Sequence, residues 1–107
     1  MSAAERERLP DRRSAETFDL EALGLKFRAT IGRHPNGEIG EVFLSNHRVN
    51  SMAGIMASDA AVLCSIALQM GASPETLLHS LMKDSAGRAT SPIGVVLEMI
   101  VGERDHE

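Results

Sequence analysis

The sequence predicts an α+β domain: a three-stranded antiparallel sheet of two hairpins, followed by three helices packed on one of its faces. Three observations carry this. Between Thr17 and Ser45 apolar and polar residues alternate with period two, broken by turn signals. From Ser51 to Met70 apolar residues recur at helical spacing. Beyond Gly71, two Ser-Pro pairs each open a further apolar run.

The first hairpin is written in matching pairs. Phe18, Leu20 and Ala22 share one face of the first run, while Thr17, Asp19 and Glu21 share the other. The next run puts Leu25, Phe27, Ala29 and Ile31 against Lys26, Arg28 and Thr30. A tight turn at Leu23-Gly24 sets Glu21 opposite Lys26 and Asp19 opposite Arg28. The same register sets Leu20 against Phe27 and Phe18 against Ala29. His34-Pro35-Asn36-Gly37 is the second turn, and the third strand runs from about Glu38 to Ser45. There Val42 and Leu44 continue the core face, but Ile39 and Phe43 fall on the other. Either a bulge at Gly40 rotates the strand, or the second face is covered by Leu9-Pro10 or by a second subunit.

In the first helix Met52, Ile55, Met56, Leu63, Ile66 and Met70 form a continuous stripe, expected to be central or buried against another chain. The polar arc is only Gly54, Ser58, Ser65 and Gln69, and Asp59 falls within the apolar stripe. Gly71 ends this helix. Ser73 caps the second, whose buried side is Leu77, Leu78, Leu81 and Met82. Ser91-Pro92 starts the third, from Ile93 to Val101. The domain organisation is a mixed-charge arm at 1–15, one domain at 16–102 and a loose tail at 103–107. The arm carries Arg6, Arg8, Arg12 and Arg13 among Glu5, Glu7 and Asp11. It reads either as a frayed terminus or as an arm that docks on a partner.

Composition narrows the function classes. At 107 residues with 43% apolar content, the chain makes one domain with a modest core. A net charge of −4 and the absence of Trp and Tyr weigh against nucleic acid as partner. The single Cys64 excludes an internal disulfide, a dithiol and a Cys-rich zinc site. No apolar signal core opens the chain and no stretch is expected to reach membrane-spanning length, so no membrane partner and a cytoplasmic location are expected.

Candidate sites are few. Asn46, His47, Arg48, Asn50 and Ser51 lie where the third strand hands over to the first helix. Free helix N–H groups with Arg48 beside them favour an anionic small ligand; the alternative is a capped, solvated loop. Asp59 is a buried-polar candidate, either a carboxylate with a raised pKa or half of a structural ion pair, with Arg88 as its partner. His34, His47, His79 and His106 form no pair with metal-ligand spacing, and no glycine-rich phosphate loop is present, so neither a metal nor another cofactor is expected.

Several dispersed residues resemble a known family. Glu41-Val42-Phe43 matches a Glu-x-Phe strand, Ser65, Leu68 and Gly71 match a Ser-x-x-Leu-x-x-Gly helix ending, and Ser73-Pro74-Glu75 matches the start of a short helix. Over roughly residues 16 to 100 the chain is similar to the TSCPD domain. That domain occurs near the C-terminal end of adenosylcobalamin-dependent ribonucleotide reductases and in short stand-alone proteins of bacteria and phages. The family's name motif holds a cysteine where this chain reads Thr90-Ser91-Pro92-Ile93-Gly94. The resemblance therefore implies a non-catalytic accessory module that contacts a reductase, another protein or an anionic ligand. The alternatives are a reductase component acting with a large subunit, and a small nucleic-acid-binding accessory using the arginine arm. The extent of apolar helix surface leads us to expect a homodimer or larger assembly.

Overall fold

The computed structural model describes residues 5–48 and 50–105. Three antiparallel strands, β1 (Ala15–Ala22), β2 (Leu25–Arg33) and β3 (Ile39–Asn46), lie in the order β1-β2-β3. The helices α1 (Met52–Gln69), α2 (Pro74–Ser80) and α3 (Pro92–Asp105) follow. The α+β class and the hairpin order are as the sequence predicts.

Register follows the paired residues. Asp19 faces Arg28, Glu21 faces Lys26, Leu20 faces Phe27 and Phe18 faces Ala29. Arg28 donates to the Asp19 carboxylate at 3.0 Å, and the Thr17 and Thr30 hydroxyls meet at 2.9 Å. Leu23 (φ 57°) and Gly24 (φ 73°) form the two-residue turn with both residues left-handed, which matches the twist of the strands. In the second hairpin Gly32 faces Glu41 but Arg33 faces Ile39, so Gly40 is the extra residue of a bulge. The bulge turns Ile39 onto the core face with Val42 and Leu44.

One end of the second face is covered by Leu9, while Phe43 on that face stays 49% exposed. A Cβ at Gly40 would lie 2.6 Å from Leu9 Cδ1, and one at Gly32 would lie 3.2 Å from Leu9 Cδ2. Leu9 thus sits in a shallow seat made by two side-chain-free positions. From residue 5 onward the arm docks on its own fold, which corrects the expectation of a frayed terminus. Arg13 grips Glu41 through two nitrogens at 2.6 and 3.1 Å. Glu7 N–H donates to the Gln69 carbonyl at 2.8 Å, and Arg6 Nε donates to Gln69 Oε1 at 2.5 Å.

For α1 the structure removes the central placement of the bulky stripe. The bulky stripe points outward, and Gly54, Ala57, Ala61, Cys64, Ser65, Leu68 and Gln69 face the sheet. The reason lies at β3, an edge strand whose outward backbone groups need partners. Ser65 Oγ accepts from Val42 N–H at 2.8 Å and lies 3.0 Å from the Val42 carbonyl. One turn on, Gln69 Nε2 donates to the Gly40 carbonyl at 2.8 Å. Small and polar residues let the helix come close enough to close the strand edge. α1 is also long and apolar enough, by length and composition, to cross a membrane, contrary to the expectation that no stretch would be.

Gly71 (φ 106°) ends α1 in a Schellman turn, with Ala72 N–H donating to the Ala67 carbonyl and Gly71 N–H to that of Leu68. Ser73 Oγ caps α2 by accepting from Thr76 N–H, and Ser91 Oγ caps α3 by accepting from Gly94 N–H. Ile93, Val96, Leu97 and Ile100 make the inner stripe of α3. Met82, expected inside, is 80% exposed, because α2 ends at Ser80 and the chain turns away. α3 continues past Val101 to Asp105, where a loose tail was expected. Arg33 reaches across to Glu103 at 3.3 Å, which ties this last turn to the sheet. His106 lies outside the described residues.

Candidate functional site at the strand-to-helix junction

The structure separates the five junction residues into two groups. Asn46 is buried, and both ends of its amide are used: Nδ2 donates to the Lys26 carbonyl at 2.7 Å, and Oδ1 accepts from Arg48 N–H at 3.0 Å. It fastens the end of β3 to β2 and shapes the turn that follows. Ser51 is the N-cap of α1, its Oγ accepting from Gly54 N–H at 3.0 Å. The same hydroxyl donates to the Arg48 carbonyl at 2.8 Å. Gly54 fits closely here, since a Cβ would come within 3.1 Å of that carbonyl and the turn would have to give by a few tenths of an ångström. The start of α1 is therefore partly occupied by the chain's own backbone. His47, Arg48 and Asn50 are exposed.

Beside this turn an open cleft of about 650 Å³ runs over the outer face of the sheet. Asn46 and His47 line it; Arg48, Asn50 and Ser51 do not. Its other walls are Asp19, Glu21, Lys26, Arg28 and Ser45, with Leu20 and Phe27 at its base. Three side chains that can carry positive charge, Lys26, Arg28 and His47, thus face two carboxylates. Such a surface can bind a small polar ligand through hydrogen bonds and charge. The cross-strand rows that align Asp19 with Arg28 and Glu21 with Lys26 predict these walls. The contribution of Ser45 could have been found by extending the same rows to β3.

Asp59 and Arg88 do not meet. Asp59 is exposed in the middle of the outward stripe of α1, because the stripe it belongs to faces away from the sheet. Arg88 is exposed too and lies 3.5 Å from Glu98, whose Oε2 also accepts from Ala89 N–H at 3.0 Å. The expectation of a buried polar pair is corrected accordingly. Cys64 is buried against the sheet, and burial pushes its thiol up to about 11. Among the described residues, no three of His, Cys, Asp and Glu converge where a metal ion could be held.

The fold is a small α+β domain with an open, charged cleft on its sheet. In sequence it is similar to part of a much larger enzyme. It is 34% identical over 67 residues to the vitamin B12-dependent ribonucleotide reductase of Agrobacterium fabrum, a match covering 63% of this chain and 5% of the reductase. The reductase of the same name from Bradyrhizobium diazoefficiens is 31% identical over 67 residues, and that from Rhodopirellula baltica is 31% identical over 74. The chain spans between 5% and 7% of the length of these curated relatives. It is thus homologous to one region of the B12-dependent reductase. No family model matches the chain, and no solved structure matches it.

Proposed function

We propose that the chain is a TSCPD-like accessory module connected with ribonucleotide reduction, which acts by binding a reductase and not by turnover. The observation that carries this reading is the match itself. It takes in 63% to 69% of the chain, yet touches only a small region of each reductase. The chemistry of the chain agrees. A cysteine that forms a radical or a disulfide must be reachable and must have a redox partner. Cys64 is the one cysteine, it is buried, and its thiol stays protonated at neutral pH.

An anionic ligand at the junction belongs to the same reading. Exposed Arg48 and His47 adjoin a cleft that holds Lys26 and Arg28, and Asn46 fixes the backbone between them. Nucleoside phosphates fit these cations and are the chemistry of the relatives' named reaction.

Two measurements test the proposal. The pure chain, incubated with ribonucleotides, adenosylcobalamin and a dithiol, is expected to yield no deoxynucleotide; product beyond stoichiometry would overturn the accessory assignment. Titrated by calorimetry into the B12-dependent reductase from its own cells, the chain is expected to bind saturably. Absence of binding, with and without nucleotides, sinks the reading. For the junction, Arg48→Ala is expected to weaken nucleotide binding by roughly 1.5–3 kcal/mol. Its effect on stability should stay within about 0.5 kcal/mol.

A further inference from the structure

α1 presents two faces, and only one of them is accounted for by the fold. The inner face closes the edge of β3. The outer face carries Met52 (80% exposed), Ile55, Met56 (65%), Val62, Leu63 (69%) and Met70, with Asp59 on its midline. Asp59 is the one charged residue in the eighteen of α1. Large apolar faces of this kind on a small protein mark contacts with another molecule.

The area of the whole molecule points the same way. A folded monomer of this mass exposes roughly 5,800 Å². This chain exposes 7248 Å². The excess is roughly 1,400 Å², and the exposed residues of 5–14 account for part of it. A standard interface removes about 800 Å² from each partner. One such interface therefore brings the chain close to the surface expected for its size.

We propose that the outer face of α1 is a twofold interface with a second copy of this chain, formed by two antiparallel α1 helices that cross at the level of Ala61. The stripe is self-complementary about that point. Met52 falls opposite the partner's Met70, and Met56 falls opposite the partner's Ile66. Ile55 meets the partner's Ala67, and Val62 meets the partner's Ala60, so at these two levels bulky side chains face small ones. An isologous contact needs this symmetry within one sequence, whereas a contact with an unrelated protein does not.

Asp59 fixes the register. Centring the pair on Asp59 would press two carboxylates together. Centring it near Ala61 sets each Asp59 opposite the partner's Leu63 and separates the two carboxylates by about 6 Å along the axis. No cation on α1 neutralises them. The acid thus weakens the pair while selecting one alignment.

Sedimentation equilibrium of the full chain at micromolar concentration tests the proposal, and a dimer mass is expected. Leu63→Glu and Met56→Glu, both at exposed positions of the protomer, should each weaken dimerisation roughly a hundredfold with unchanged circular dichroism. Asp59→Leu should dimerise more tightly than the wild type. The double variant Met56→Cys, Ile66→Cys should oxidise to a cross-linked dimer. A monomer mass throughout the micromolar range, or a dimer that survives both glutamates, overturns the interface. A dimer that Asp59→Leu weakens, or that the cysteine pair fails to cross-link, overturns the register and with it the proposal.

Discussion

Ser65→Ala tests the account of why α1 lies as it does. The hydroxyl is buried and accepts from Val42 N–H at 2.8 Å, with the Val42 carbonyl at 3.0 Å and the Ala61 carbonyl at 2.9 Å. Val42 is fully buried, so water does not reach the vacated groups freely. An amide left without an acceptor in such a place costs about 1–3 kcal/mol. The better helix propensity of alanine returns about 0.5 kcal/mol. The net loss should be about 1.5 kcal/mol, or roughly 6–12 °C in melting temperature for a domain of this size. Urea denaturation followed by circular dichroism measures it, with a lower midpoint and an unchanged slope. The measurement belongs in a Leu63→Glu background, where dimerisation cannot shift the midpoint with concentration. Hydrogen exchange at the Val42 amide should accelerate in step. A loss below about 0.5 kcal/mol, with Val42 still protected, would refute the idea that α1 closes the strand edge.

Gly40→Ala should displace both His34, whose Nε2 is the atom nearest the new methyl, and Leu9, whose Cδ1 would lie 2.6 Å from it. Trypsin should then cut after Arg8 or Arg12 much faster than in the wild type, with a stability loss of about 1–3 kcal/mol. Leu23 holds φ 57° in the first turn and is largely exposed, so Leu23→Asn should raise stability by about 1 kcal/mol in thermal melts. Cys64 supplies a pH dependence of known sign. Its thiol moves from 9.0 to about 11 on folding, so above pH 9 the unfolded chain loses a proton that the folded chain keeps. Stability should therefore fall as pH rises through about 11, and Cys64→Ala should remove that part of the fall.

The sheet was legible because its cross-strand pairs constrain one another. Two charge pairs and two apolar pairs agree on a single register, and a slip of one residue would break all four. At Gly40 the sequence leaves a bulge and a covered second face as alternatives, and the structure shows the bulge that returns Ile39 to the core side. The orientation of α1 was not legible, because hydrophobic periodicity ranks faces by bulk. The sheet selected instead for close approach and for hydrogen bonds to β3, and those were written in Ser65 and Gln69, four residues apart. Placing the bulky stripe inside also places Asp59 inside, so both differences have one physical cause. At the junction, the cap of Ser51 follows from sequence. The division between cleft residues and capping residues depends on where the Arg48 carbonyl points, which residue types do not encode.

The two edges of the sheet bear on how copies of the chain can associate. An open strand edge is an alternative route to a dimer, through backbone pairing. At β3 that route is closed, because Ser65 and Gln69 occupy the outward groups of Val42 and Gly40. At β1 the solvent face carries Asp19 and Glu21 beside Thr17. Two β1 strands joined antiparallel would bring these acids from both copies onto one small surface, and like charges directly opposite destabilise a strand pair. Arg28 offsets Asp19 only within its own sheet, at a solvent-exposed pair worth little. Edge pairing is thus blocked on one side and repelled on the other, while the outer face of α1 is apolar except for one acid. The residues that made α1 fit the sheet are the small and polar ones, and their choice left the bulky ones outside. The same packing decision that closes β3 therefore creates the surface through which the chain is proposed to pair.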